Sequence, residues 1–165
     1  MPILDANSVE FLSRSADQTR RVGMHLGAAL TIGDIICLEG ELGSGKTTFV
    51  QGVAAGWGSL DPVSSPTFVL VNLYRRNDSQ KLAHLDAYRL DDSADAEALD
   101  LDSMLLSGPL VVEWAGRIDL ALPGERLWVD LNHVDSEQRG MQFAANGDRY
   151  EELLDDFQKA IFGVS

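Results

Sequence analysis

An α/β fold with a mixed sheet flanked by helices is what the sequence predicts, on three observations. Short apolar runs of strand length alternate with segments of helical periodicity, and a glycine-rich loop joins one such run directly to a helix. Two polar interruptions of six residues, "RRNDSQ" and "DSEQRG", join neighbouring runs as hairpins. Strand-to-helix crossovers make parallel neighbours and hairpins make antiparallel ones, hence the mixture.

Taken in order, Ser15 and Gln18 have capping-box spacing, and Val22, Leu26, Ala29 and Leu30 then share one helical face, which predicts a helix over about 16–30. Gly33-Asp34 turns the chain into the strand "IICLE". After the glycines, residues 46–55 read as a helix ended by Gly56 and Gly58. "SSPTFVLVNLY" starts as a loop at Ser64 to Thr67 and becomes a strand, which pairs across "RRNDSQ" with "KLAHLDAY". Arg75 and Arg76 fall at the solvated tip of that hairpin. Ser93 caps a short helix through "ADAEALDLDSML", Gly108-Pro109 breaks it, and "LVVEW" reads as a strand buried on both faces. "RLWVDLNHV" and "MQFAA" form the second hairpin. Asn146-Gly147-Asp148 then leads into a last helix, "YEELLDDFQKAIF", amphipathic at Leu153, Leu154, Phe157 and Ile161.

The 165 residues are 45% hydrophobic and 24% charged, ordinary globular usage without repeats or a linker, so one domain over 1–165 is expected. No apolar stretch approaches the ~20 residues of a membrane span and no secretory leader opens the chain, which sets the expectation of a cytoplasmic protein with no membrane contact. Cys37, the one cysteine, lies in an apolar run and reads as a buried, inert thiol. A net charge of −13 with a pI near 4.4 repels polyanions, which disfavours independent binding of RNA or DNA and suits a basic protein partner.

Gly40 to Thr47 reads G-E-L-G-S-G-K-T, a full match to G-x-x-x-x-G-K-[ST] between a strand and a helix. Such a loop curls its backbone N–H groups around phosphate oxygens, and the helix N-terminus adds its positive dipole end. The expected nucleotide contacts are Glu41, Leu42, Gly43, Ser44, Gly45, Lys46 and Thr47. Lys46 would reach the β- and γ-phosphates, and the Thr47 hydroxyl would join a Mg²⁺ shell. The fold class sharpens to a P-loop NTPase-like domain holding a nucleoside triphosphate with Mg²⁺.

Such a site also needs a strand-end carboxylate for the metal and a group that orients water. Asp86 in "LAHLD" and Glu113 in "LVVEW" both qualify, and residue type does not divide the roles between them. Asp130 in "LWVD" is a weaker third. Thr67 is either a switch threonine sensing the γ-phosphate or part of a proline turn, and Trp114 either core or a cover for the pocket. Arg89 reads as an arginine finger, a partner contact or a surface ion pair. His84 reads as a satisfied core histidine in preference to a metal ligand.

Together, Gly40 to Thr48 as G-E-L-G-S-G-K-T-T, Ser65-Pro66-Thr67-Phe68, His84-Leu85-Asp86-Ala87-Tyr88-Arg89 and Glu113-Trp114 strongly resemble the TsaE family, bacterial P-loop ATPases of tRNA threonylcarbamoyladenosine biosynthesis. The resemblance runs from about residue 16 to 135. It implies ATP and Mg²⁺ as ligands, Lys46, Thr47 and Thr48 on phosphates and metal, Asp86 as the Mg²⁺ carboxylate and Glu113 positioning or activating water next to the metal. Thr67 would then belong to a switch-like loop and Trp114 would lie beside the site. The implied partners are the tRNA threonylcarbamoyl-transferase subunit and its inactive paralogue, with tRNA reached only indirectly through that complex. Hydrolysis would drive repeated turnover of the assembly without making the modified base. "DDSADAEALDLDSML" and "EWAGRID" depart from the family pattern. Two other functions fit the glycine loop alone: a small-molecule kinase, which usually carries an arginine-rich lid not evident here, and a nucleotide-gated binding module with negligible catalysis.

Overall fold

The computed structural model describes residues 8–41, 45–63, 71–88, 90, 96 and 99–162. Its centre is one seven-stranded sheet in the order β1-β7-β6-β2-β5-β4-β3. The strands are β1 (Ser8–Ser13), β2 (Ile35–Glu39), β3 (Val71–Arg75), β4 (Lys81–Asp86), β5 (Leu110–Glu113), β6 (Arg126–His133) and β7 (Arg139–Asn146). β6, β2, β5 and β4 run parallel, whereas β1, β7 and β3 join by antiparallel pairing. The predicted mixed α/β architecture is therefore what forms, hairpins included.

Helices α1 (Ala16–Ala28), α2 (Lys46–Trp57) and α4 (Asp148–Phe162) cover one face of the sheet, where Leu26, Phe49, Phe143 and Phe157 are fully or almost fully buried. α3 (Leu101–Ser107) and a 3-10 helix (Ala115–Ala121) cover the β2-β5-β4 part of the other face, over Cys37, Leu85 and Leu110. The four residues of β5 are buried on both sides, as a central parallel strand requires. Ser15 caps α1 by accepting from Gln18 N–H, while the Gln18 side chain accepts from Arg14 N–H. At the start of β2, the Tyr150 hydroxyl of α4 accepts from Ile35 N–H, and Arg149 grips the buried Asp34 through two nitrogens.

Three local expectations need correction. α2 does not stop at Gly56; it runs to Trp57 and ends on Gly58, whose φ of 105° is the left-handed cap. Gly56 is there for packing. A Cβ on it would stand 2.0 Å from Met24 O, one on Gly52 2.0 Å from Arg20 O, and one on Gly27 1.9 Å from Val53 O. Interlocked glycines thus bring α1 and α2 into backbone contact. Secondly, the described part of the expected "ADAEALDLDSML" helix is not continuous: Ala96 is helical, Leu99 and Asp100 are not, and α3 spans Leu101–Ser107, while Ser93 lies outside the described residues. Thirdly, Arg76 is no solvated tip: it stacks over Trp57 at 4.5 Å, donates to the Trp57 carbonyl at 3.0 Å and pairs with Asp78. Its neighbour Arg75 is exposed but clasps Asp61. Strand β1 and the 3-10 helix had no counterpart among the predicted elements.

Candidate functional site

The parallel strands end along one edge of the sheet, and β2, β4 and β5 each end on an acid there. Asp86 of β4 is level with Glu113 of β5, while Leu38 of β2 is level with Glu113 and Glu39 with Asp130 of β6. In open α/β sheets ligands sit outside the carboxyl ends of such strands. The predicted glycine loop leaves β2 at this edge.

Gly40 and Glu41 begin the loop, Glu41 exposed, and Gly45 closes it at φ 98° as the N-cap of α2. Leu42, Gly43 and Ser44 lie outside the described residues, as do Thr67 and Arg89. Lys46 is the first residue of α2 and only 7% exposed, Thr47 next to it is exposed and Thr48 half-buried. The Lys46 ammonium donates to the Gly40 carbonyl and lies 4.0 Å from the centre of the Trp114 ring. Burial pulls its pKa down against the opposing pull of the Glu113, Asp86 and Glu39 carboxylates. One cation thus faces three acids in a partly dry setting.

Asp86 is half-buried and accepts from Tyr88 N–H at 2.9 Å. Desolvation raises its pKa, with the Glu113 charge adding to the rise. Glu113 is 5% exposed and receives His84 Nε2 at 2.5 Å on Oε2. His84 is fully buried and its Nδ1 meets the Tyr74 hydroxyl at 2.9 Å, so it is the satisfied core histidine expected, with the site acid as one partner. Among the described residues no cluster of three His, Cys, Asp or Glu side chains has the arrangement of a closed metal centre.

Trp114 follows Glu113 at φ 59°, a left-handed conformation uncommon for a bulky residue, and this turns its ring towards Lys46. Tyr88 leans on it at 5.0 Å between ring centres. The Glu39 carboxylate accepts from Gly116 N–H, tying the turn after Trp114 to the strand that feeds the loop. Asp130 is half-buried, with its pKa raised by desolvation. Beside the loop, Gly45, Thr48, Thr19, Glu137 and Arg139 border a cavity of about 180 Å³. Arg139 Nε is buried there with no hydrogen-bond partner among the described residues.

Sequence reasoning had picked out Lys46, Asp86, Glu113 and Trp114, and the fold brings these together. Glu39 was missed, although its signal was available: it is the last residue of the strand "IICLE". Tyr74 was missed because nothing local links it to Glu113, 39 positions away by subtraction of their numbers.

The family model described as "Threonylcarbamoyl adenosine biosynthesis protein TsaE" matches residues 13–141. The chain is 38% identical over 145 residues to the tRNA threonylcarbamoyladenosine biosynthesis protein TsaE of Bacillus subtilis, covering 87% of this chain and 89% of that protein. To the protein of the same name from Streptomyces coelicolor it is 43% identical over 137 residues, 79% of this chain and 93% of that one. The crystal structure of Bacillus subtilis YdiB superposes with a TM-score of 0.77 at 30% identity, over 93% of this chain and 96% of the other. With the motifs, the sheet and these matches in agreement, the chain belongs to the TsaE family.

Proposed function

We propose that this protein hydrolyses ATP with Mg²⁺ and thereby serves the formation of threonylcarbamoyladenosine in tRNA, the process named in the description of its family. The observation that carries the ATPase reading is Lys46, held at a helix N-terminus opposite Asp86 and Glu113. A cation beside two carboxylates, behind a glycine loop, is what binding a metal–triphosphate pair demands.

The donor set fits both ligands. Asp86, Glu113 and the exposed Thr47 hydroxyl are hard oxygen donors of the kind Mg²⁺ prefers, directly or through water. Gly45 at φ 98° and the unpartnered Arg139 Nε suit an anion at the loop, and the neighbouring cavity takes the nucleoside in this reading. The metal, when bound, would neutralise charge on the triphosphate. Lys46 exchanges its contacts with Gly40 and Trp114 for phosphate oxygens. Asp86 holds the metal, Glu113 orients the attacking water, and Trp114 shields the site from bulk solvent. Thr67 remains the proposed γ-phosphate sensor.

An acidic chain of charge −13 is poorly suited to grip tRNA itself. The proposed partners are therefore the threonylcarbamoyl-transferase subunit and its inactive paralogue, which would present the tRNA surface while this chain supplies the hydrolysis that resets the assembly. No helix among the described residues is long and apolar enough to cross a membrane.

Phosphate release, measured for the chain alone and with both transferase subunits, tests the reading. Turnover should be slow alone, faster in the assembly and lost with Glu113→Gln or Lys46→Ala. Undiminished hydrolysis by Glu113→Gln in the assembly would remove Glu113 from the mechanism, and ATP consumption tied to a phosphorylated small-molecule product would make the protein a kinase.

A further inference from the structure

We propose that His84 is the positioning residue that fixes the Glu113 carboxylate, anchored in turn by Tyr74. The inference rests on the assignment of Glu113 as the water-orienting group. Its basis is a chain of contacts through three adjacent strands: Tyr74 on β3, His84 on β4 and Glu113 on β5. His84 is 0% exposed, its Nδ1 lies 2.9 Å from the Tyr74 hydroxyl and its Nε2 2.5 Å from Glu113 Oε2.

The chemistry of the contact gives it a direction. An ionised carboxylate only accepts hydrogen bonds, so Nε2 carries the proton and donates. That bond occupies Oε2 and leaves Oε1 for the site. A glutamate at a strand end has three side-chain torsions to settle, and a buried, rigid ring gripping one oxygen settles them before substrate arrives. Tyr74 does the same for the ring, with its hydroxyl on Nδ1 and its own ring tilted against the imidazole at 5.9 Å. Asp86, level with Glu113 on the neighbouring strand, accepts instead from a local backbone N–H, that of Tyr88. The two acids are thus held differently, Glu113 from beneath by the core and Asp86 by its own turn.

Two conservative variants separate positioning from packing. The amide nitrogen of glutamine reaches about as far as the donating Nε2, and the amide oxygen of asparagine about as far as the accepting Nδ1. His84→Gln therefore keeps a donor for Glu113 and gives up Tyr74, whereas His84→Asn does the reverse. Both lose the ring, and their melting temperatures should fall together. In the assembled complex His84→Asn should lower kcat by about 10- to 100-fold with KM for Mg-ATP unchanged, while His84→Gln stays within about threefold of the parent. Equal kcat values for the two variants, or kcat that merely follows melting temperature, would overturn the proposal.

A readout independent of turnover is the imidazole Nε2–H resonance of the isolated chain. It should lie downfield of the amides, vanish in Glu113→Ala and survive in Tyr74→Phe. Absence of the resonance, or its persistence in Glu113→Ala, would show that the ring does not hold the carboxylate. Should the wild-type assembly release no phosphate at all, the ATPase reading fails while this resonance still decides whether Glu113 is held.

Discussion

Lys46 Nζ stands 4.0 Å from the centre of the Trp114 ring, so the phosphate-loop cation rests on an aromatic face. Such a contact contributes roughly 0.5–2 kcal/mol, less than several charge-assisted bonds to phosphate can return. Nucleotide should therefore take Lys46 off the ring. Titrating Mg-ATP into the chain should change the tryptophan emission, and Trp114→Phe should abolish the change although Trp57 and Trp128 remain. Lys46→Met should weaken nucleotide binding about 10- to 100-fold, the loss of one or two hydrogen bonds to a charged group. An emission change that survives Trp114→Phe would refute this.

Asp86 trades stability for its role. Its carboxyl titrates above the ordinary range because burial disfavours the charged form. A carboxyl with a raised folded pKa binds its proton more tightly in the native state, so stability falls as pH rises from the unfolded value, near 3.9, through the folded one. Asp86→Asn removes that loss. In urea unfolding it should exceed the wild type in stability at pH 7 to 8, with the advantage shrinking as pH is lowered towards 4, while phosphate release disappears. A variant less stable than wild type at pH 8 would contradict the account.

Gly27→Ala should be among the most damaging single-methyl changes in the chain, because its Cβ would meet Val53 O at 1.9 Å. Backbone cannot swing aside as a side chain can, so α1 and α2 must separate, at a cost of about 3 kcal/mol. Gly124→Ala, where nothing lies within 4 Å of the added atom, is the control and should stay within about 0.5 kcal/mol. Urea midpoints read both. Equal midpoints would mean that the helices are not in the close contact described.

Cys37 should be silent towards thiol reagents in the native protein. It is fully buried, and desolvation pushes its pKa to about 12. Thiolate is scarce at pH 8 and no reagent reaches it. Modification by an aromatic disulfide should therefore proceed at the rate of unfolding and jump when urea crosses its midpoint. Rapid native-state labelling would place Cys37 elsewhere than under the 3-10 helix.

Where the pattern in the chain is local, the fold follows it closely. The strand Ile35–Glu39 and the helix Lys46–Trp57 flank the glycines in one stretch of sequence, and Glu113 and Asp86 stand out because each ends an apolar run. What escaped is what depends on partners distant in sequence. Gly56 reads as a helix terminator because glycine weakens helices, and only Met24 on another helix explains its presence. Glu39 looks like a solvated acid until Gly116 N–H is brought to it by the turn of Trp114. Strand β1 buries Val9 and Ser13 in alternation, too short and too polar a signal to see without β7 beside it.

The interlocked glycines of α1 and α2 also bear on how this chain can change over generations. Every other encoded amino acid carries more at the α-carbon than a hydrogen, and alanine, the smallest step, already meets a carbonyl oxygen at about 2 Å at Gly27, Gly52 and Gly56. No neighbouring side chain can shrink to make room, since the obstacle is main chain. Drift at these three codons is therefore closed off one position at a time, and the helix that begins with Lys46 is kept in place against α1 by residues that never touch a ligand.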